Sequence, residues 1–380
     1  MHDRKAEGSD RDSDRGGVFS SRISLSGLFS LGIALAISTV SLAGESGEPS
    51  ESTQATDPLH QRVLANVTKG LTSHSLHSDR QAAWQLFHAA AAYGTAFPLE
   101  TPVGQRPGVE YLFNGGSMRG WELSTGDWQD GDARGLRVPV MAGTKLGQGH
   151  TDQFLGYLAM AGVPSDMPVL FDGGRYSLDS LMGQALWDVP RNFLREYSWT
   201  LMGIARYRPS NFTWKARDGR QWHVEELLAA ELEQDLPTAA CGGTHRLQGL
   251  AMVLDARRRD GLPIDGIWRE VAQRLEECIE LARANQNPDG TFTPDYFYSP
   301  GRSRDLGEQL TTTAHVVEFL AMAVPEERLS EPWMERGVSR LCDLLEAMSE
   351  VDIECGALYH GLHGLAVYEQ RRWLPAVTQR

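Results

Sequence analysis

Three histidines and two tryptophans recur at one level of a repeated helical segment. Six charge-poor stretches align on a Leu-Ala step or its equivalent: Ala89-Ala90, Leu158-Ala159, Ile204-Ala205, Leu250-Ala251, Leu320-Ala321 and Leu365-Ala366. Five residues before that step stand Trp84, Gln153, Trp199, His245, His315 and His360. One residue before it stand His88, Tyr157, Gly203, Gly249, Phe319 and Gly364. Positions four apart share a helix face. Imidazoles gathered on such faces can move protons or ligate a metal. The set predicts a pocket lined by Trp84, His88, Gln153, Tyr157, Trp199 and Phe319, with His245, His315 and His360 as catalytic candidates. The plainer reading is a packed core in which each His and Trp finds one hydrogen-bond partner.

Acid–base work also needs carboxylates. Asp152, Glu196 and Glu318 are the acids within the otherwise apolar segments, and Asp152 and Glu318 join the catalytic candidates. A buried Glu318 is costly unless it is paired, so it must meet Arg246 or a histidine, or else face the pocket. Zinc uses thiolate and imidazole ligands. Cys241-x3-His245 and Cys355-x4-His360-x2-His363, with His315, supply both kinds, giving Cys241, His245, His315 and His363 as a candidate zinc set converging across helices. Packing at helix starts, or one or two disulfide bridges, are the plainer roles for the cysteines. The sequence has no nucleophile elbow, P-loop or Gly-rich dinucleotide turn.

Two kinds of helix must position these groups. Residues 223–235, 267–286 and 331–350 read as amphipathic helices with one apolar stripe, and Ser177 is a good N-cap for another. Between such helices lie the Leu-Ala segments, poor in charge and rich in Gly and Ala. Their steps are spaced 69, 46, 46, 70 and 45 residues apart, near one helical hairpin per period with two insertions. Alternation of this kind predicts an all-α fold of two layers, about six hairpins closing into an (α/α)6 toroid; an open solenoid is the competing architecture. The insertions, 114–149 and 287–306, both run from an outer helix into an inner one. They therefore crown the end that carries His150, Asp152, Cys241 and His245, and they bring Trp121, Trp128, Tyr296, Phe297 and Tyr298. Long loops on one end of a scaffold are usually binding loops. His150 thus counts as pocket-lining.

Gln286-Asn-Pro-Asp-Gly-Thr-Phe292 resembles the Gln-x-x-Asp-Gly-x-aromatic motif of the triterpene cyclase and prenyltransferase superfamily, with Phe in place of the usual Trp. The resemblance implies an α/α toroid with Gln286 at the end of an outer helix. The Asp-x-Asp-Asp acid motif of the cyclases is absent, which argues against polyene cyclisation. Asp218-Gly219-Arg220-Gln221-Trp222 is a weaker echo. Tyr359-His-Gly-Leu-His363-Gly is similar to the His-Gly motif of lanthionine-synthetase cyclases, toroids that hold zinc on Cys and His, but the adjacent Cys-His pair is missing.

The chain of 380 residues carries a net charge of −14 and is 41% hydrophobic. Such acidity excludes an obvious nucleic-acid binder, and the apolar share excludes a disordered polymer. Residues 1–22 balance acids against bases. Residues 23–42 hold no charge, and Ser41-Leu42-Ala43 resembles a cleavage site. Residues 23–43 therefore read either as a cleaved signal or as a retained membrane anchor; both place the rest outside the cytoplasm. Residues 44–58 read as a linker and 59–380 as one domain. Two functions stand at this level: an exported enzyme acting on a carbohydrate or lipid-like small molecule in its pocket, or a non-catalytic binding or scaffold module at the cell envelope.

Overall fold

The computed structural model describes residues 57–374. The expected export segment and most of the linker lie outside the described residues. Among the described residues the fold is predominantly helical, and no helix is long and apolar enough to cross a membrane.

Six helices carry the Leu-Ala segments: α2 (Ala83–Tyr93), α4 (Gln153–Met160), α6 (Ser198–Tyr207), α8 (Thr244–Arg259), α10 (Leu306–Ala323) and α12 (Cys355–Trp373). They touch one another in chain order, and α12 packs on α2. Six others alternate with them: α1 (Pro58–Ser73), α3 (Gly108–Phe113), α5 (Leu178–Asp188), α7 (Val224–Leu232), α9 (Gly266–Asn285) and α11 (Pro332–Ala347). The two classes bury themselves differently. In α9 only Trp268, Val271, Leu275, Cys278, Ile279 and Ala282 are buried, a single stripe at helical spacing. In α10 every residue from Thr312 to Ala321 is buried, so that helix has neighbours all round.

The charge-poor helices approach each other closely where they carry glycine. A Cβ on Gly249 would lie 2.6 Å from the Ser198 carbonyl oxygen, and one on Gly364 would lie 2.9 Å from the Glu318 Cα. A side chain there would push backbone against backbone. Each glycine costs its helix about 1 kcal/mol relative to Ala, and the close approach of α8 to α6 and of α12 to α10 is what it allows.

Short β-hairpins were not expected and several are present. β2 (Pro98–Thr101) pairs with β3 (Gly104–Pro107), and β1 (Leu76–His77) lies parallel to β2. β4 (Ser124–Asp130) pairs with β5 (Ala133–Arg137), β6 (Pro168–Phe171) with β7 (Gly174–Ser177), and β8 (Thr213–Lys215) with β9 (Gln221–His223). Three of these hairpins run directly into α3, α5 and α7. Their turns have a recognisable chemistry: Asp172 and Gly173 both take positive φ, 48° and 72°, as a two-residue hairpin turn requires. Asp218-Gly219, read from sequence as an echo of the Gln-x-x-Asp-Gly motif, lies in the longer loop between β8 and β9, where Gly219 alone of the pair takes positive φ, 80°.

The stronger motif sits as expected. Gln286 caps the end of α9, donates to the Trp333 carbonyl at 3.0 Å and accepts from Arg336 at 3.2 Å, tying α9 to α11. Phe292 is buried beneath it. All four cysteines are free, so no disulfide staples the fold.

The glycine contacts give a first test. Gly364→Ala should destabilise by about 1–3 kcal/mol through overpacking, although Ala is the better helix former. Gly361→Ala on the same helix meets side-chain methyls no nearer than 3.3 Å and should stay within about 1 kcal/mol of the parent. Urea denaturation followed by circular dichroism compares the two; equal losses would refute the backbone-approach argument.

Candidate functional site

The charge-poor helices each send one ring to a common centre. His88 from α2 packs on Tyr157 from α4 with ring centroids 4.5 Å apart. Tyr157 meets Trp199 from α6 at 5.0 Å, and Trp199 meets His245 from α8 at 5.1 Å. His245 lies 5.5 Å from His315 of α10, which lies 4.1 Å from His360 of α12. His360 closes the circuit on His88 at 5.2 Å. Four of these rings come from the position five before the Leu-Ala step. The first two come from one helical turn further on. Each of the six is no more than 5% exposed, so the rings pack on one another.

Trp84 and Gln153, the remaining residues at the upper level, stand at its edge. Trp84 lies against His88 at 4.0 Å, with the Lys145 ammonium 5.6 Å from its ring. Gln153 accepts from the Gly149 N–H at 2.7 Å and so fixes the chain ahead of α4. Phe319 is buried outside the circuit, packed on Phe297 at 6.0 Å.

Glu318 organises the lower half of the centre. It is 1% exposed and accepts from His360 Nδ1 at 2.7 Å, from His363 Nδ1 at 2.6 Å and from Gln248 Nε2 at 2.6 Å. Burial pushes its carboxyl up, but His360 and His363 outweigh that and hold it well below the usual carboxylate range. Arg246, the other expected partner, is committed elsewhere: its guanidinium meets Glu231 at 2.7 Å. His363 is therefore engaged on Glu318 and lies outside the cluster that could take a metal. Gln248 was not picked out from sequence. It lies three residues beyond His245, on the same side of α8, and that spacing was its only signal.

These bonds set the imidazole tautomers. His88 Nδ1–H donates to the Trp84 carbonyl at 2.6 Å, so its Nε2 accepts from the Tyr157 hydroxyl at 2.8 Å. His315 Nδ1–H donates to the Thr311 carbonyl at 2.7 Å. His360 donates through Nδ1 to Glu318, which leaves its Nε2 as an acceptor. His245 is different: both ring nitrogens are buried and neither has a hydrogen-bond partner among the described residues. The Trp199 Nε1 beside it is also unpartnered. Burial lowers the His245 pKa well below its usual value, and His360 and His315 add to that. It is a neutral imidazole, the form that binds metals.

Cys241 completes this corner. Its Sγ, a His245 nitrogen and a His315 nitrogen all lie within 4.8 Å of one another. The chain reaches α8 through Cys241, Gly242 and Gly243, all at positive φ of 52°, 60° and 72°. That is unusual for a cysteine and aims the turn tightly. Tyr298 holds it by donating to the Gly242 carbonyl at 2.9 Å, and the Tyr296 ring lies 6.1 Å from His315. The second insertion therefore covers this corner, as loop length predicted; the first folds largely as β4 and β5 against α5. Burial alone would raise the Cys241 thiol, but His315, Tyr296 and His150 outweigh it and lower it. His315 responds in kind: burial lowers it, the Cys241 thiolate outweighs that, and it is raised to about 9. The other cysteines behave oppositely. Burial pushes Cys278 and Cys342 up to about 12, and Cys355, close to the Gln85 carbonyl at 4.0 Å, well above its usual value.

His150 stands at the rim, its ring 6.3 Å from His245, and its Nδ1 is 2.8 Å from Glu196. Asp152 does not reach the histidines by hydrogen bond. It accepts from the Thr200 hydroxyl at 2.6 Å and lines a separate cavity with Arg137, Gln184 and Asn192.

The chain matches no known protein family, no curated protein and no solved structure.

Two outcomes follow from these partners. Glu318→Leu leaves three buried donors unpaired and should cost more than about 3 kcal/mol, read by chemical denaturation; a loss under about 1 kcal/mol would contradict its role. His150 is raised above 6.5, first by its bond to Glu196. Its contribution to stability is thus present below about 6.5 and is lost as pH rises through the higher folded value. In Glu196→Gln the His150 ring should titrate at lower pH by NMR; an unchanged midpoint would show that Glu196 is not the cause.

Proposed function

We propose that this chain is an exported (α/α)6-toroid enzyme whose centre holds a zinc-type ion on Cys241, His245 and His315. One observation carries the reading: a fully buried, neutral His245 has no partner for either nitrogen, within 4.8 Å of a low-pKa thiol and a second imidazole. A buried polar group without a partner is costly, and a metal would relieve it. Zinc sits about 2.0–2.1 Å from nitrogen and 2.3 Å from sulfur, so tetrahedral ligand atoms lie roughly 3.5 Å apart. The three side chains need to close by only about 1 Å, within rotamer adjustment. The succession of inner helices and the contact of α12 with α2 support the toroid. The export assignment rests on residues 23–43 of the sequence.

Three protein ligands are the pattern of catalytic rather than structural zinc. Bound there, the ion would supply Lewis acidity. The surrounding residues orient it. His315 donates its Nδ1–H to the Thr311 carbonyl, which fixes Nε2 as the coordinating atom. His360, tied to Glu318 through Nδ1, offers Nε2 beside the ligands as a proton carrier. The Tyr296 ring stands 6.1 Å from His315 and the His150 ring 6.3 Å from His245.

A second reading, a non-catalytic scaffold, has one observation in its favour: the rings fill the centre. Metal analysis and cobalt substitution separate the readings. The isolated protein should hold about one zinc per chain, lost in His245→Ala. The cobalt form should show a thiolate charge-transfer band, absent in Cys241→Ser, that moves on adding cyanide. Substoichiometric metal unchanged in His245→Ala would sink the metal centre. A cobalt spectrum indifferent to cyanide would favour the scaffold.

A further inference from the structure

Phe193 and Leu194 are the two most exposed large apolar side chains among the described residues, at 87% and 78%. They form the tip of the segment that joins α5 to α6. The tip is held from within. The Asn192 N–H donates to the Val189 carbonyl at 3.2 Å, the Phe193 N–H to the Arg191 carbonyl at 2.9 Å and the Arg195 N–H to the Asn192 carbonyl at 3.0 Å. The buried Asn192 side chain closes the base by donating to the Glu196 carbonyl at 2.5 Å. Arg195 sits at φ 51°, in the left-handed region that costs a non-glycine residue energy, and its guanidinium meets Glu233 at 2.8 Å. A turn so fastened presents two apolar side chains to water in a fixed place. Scattered single apolar residues on a surface need no explanation; an adjacent pair on a built projection does.

Beside the tip lies a cavity of about 280 Å³. Arg191 and Asn192, which line it, directly precede Phe193 in the chain, so projection and cavity belong to one patch of surface. Its walls suit an aromatic ring. Leu155, Leu181 and Ala185 are apolar, and Arg137 and Arg191 bring guanidinium groups. Arg137 donates through Nε to Asp188 at 2.7 Å, and Arg191 lies 3.8 Å from the same acid. Such edge contacts leave the flat guanidinium faces for stacking. An apolar cavity of about 150 Å³ holds one benzene molecule, so a phenyl ring fits here. Val140, 47% exposed, also lines the cavity and extends the apolar surface beyond it.

We propose that this patch is a self-association surface: Phe193 of each copy enters the cavity of a second copy, its ring resting on Leu155 and Leu181 beside the guanidinium groups. A projection and a cavity in one patch are self-complementary about a two-fold axis, which makes the contact twice and closes the assembly. Leu194 and Val140 pack around each ring. Within one copy the Phe193 ring stands in solvent, so it does not fill its own cavity. A bilayer would cover the tip without using the cavity, and the net charge of −14 opposes an anionic lipid surface. The contact uses none of Cys241, His245 and His315, and it goes beyond the metal reading without needing it.

Sedimentation velocity of the full chain tests this, over a concentration series from roughly 1 μM to 1 mM, where weak contacts come apart. A dimer that dissociates on dilution is expected. Phe193→Asp replaces an exposed side chain and keeps the fold; it should raise the dissociation constant by about tenfold or more, as loss of a buried aromatic anchor does. Arg191→Ala, also an exposed substitution, should weaken the dimer through loss of stacking. Ala185→Leu fills the cavity from α5 and leaves Phe193 in place; it should weaken the dimer as strongly as Phe193→Asp does, with circular dichroism verifying the fold. Every sample carries the same residues 1–56, so these do not enter the comparison. The mixture is decisive. Phe193→Asp offers an open cavity to the intact Phe193 of Ala185→Leu, so the two together should associate more tightly than either alone. A monomer throughout the series, a dimer indifferent to Phe193→Asp, or a mixture no tighter than its components would overturn the proposal. So would Phe193-dependent adsorption to phosphatidylcholine–phosphatidylglycerol vesicles without self-association.

Discussion

The carboxylate of Glu318 is the interaction on which the rest of the core depends. It is an anion with almost no solvent contact, and three donors from two neighbouring helices surround it. Ionised, it has only acceptor capacity, so each donor must present N–H toward it. That requirement places Gln248 on α8 and both His360 and His363 on α12. It also explains why Gly364 is a glycine: the Glu318 backbone lies against it, 2.9 Å from where a Cβ would stand. Charge, hydrogen bonding and backbone approach all converge on one turn of α10. Removing any one donor would leave the charge underpaired, which in a buried site costs several kcal/mol.

Fixing the histidine tautomers has consequences at the centre of the molecule. With Nδ1 of His360 on Glu318 and Nδ1 of His315 on the Thr311 carbonyl, the Nε2 atoms are turned inward. Three imidazoles then crowd one region, and His360 and His315 both disfavour protonation of His245 while Glu318 opposes them. His245 is lowered by burial first and by His360 and His315 next; His360 is lowered by burial against the opposing pull of Glu318, with His315 adding to the lowering. His315 escapes only because the Cys241 sulfur carries the compensating charge. The electrostatics divide the ring into a neutral part and one thiolate–imidazolium corner, and that corner lies under the insertion bearing Tyr296 and Tyr298.

Much of this was legible in sequence, and the reasons for the exceptions are physical. The long amphipathic helices α9 and α11 fall within a residue or a few of the expected spans because one apolar stripe repeats over several turns. The register of Trp199, His245, His315 and His360 was readable because it depends only on spacing within each helix. Most of the hairpins were missed because their strands of three or four residues are too short for an alternation to register, leaving Asp-Gly pairs such as Asp130-Gly131, Asp172-Gly173 and Asp218-Gly219 as signals. Pairing was legible in part: Glu318 had to meet Arg246 or histidine, but the choice depends on Glu231, which claims Arg246 through contacts far apart in sequence. The orphaned nitrogens of His245 depend on what every other helix leaves unoffered, and no single segment encodes that.

Two acids, the buried Glu318 and the half-buried Asp152, have opposite fates. Glu318 has donors enough to outweigh burial, so its folded pKa is depressed; it stabilises the fold at neutral pH and that contribution is lost as pH falls through the folded value. Asp152 has a single hydroxyl, and burial raises it to about 6. The sign reverses: the folded chain prefers the protonated acid below the unfolded pKa, and the preference is lost as pH rises through about 6. Above that pH the ionised Asp152 is a net cost to the folded chain. A protein that needed only packing could replace such a group with an apolar or amide side chain at no loss. The same logic applies to His245, which is uncharged but also unpartnered. Where the core satisfies its polar groups it is acting as scaffold; where it leaves the His245 imidazole unsatisfied beside a thiol, the missing partner is best sought outside the chain.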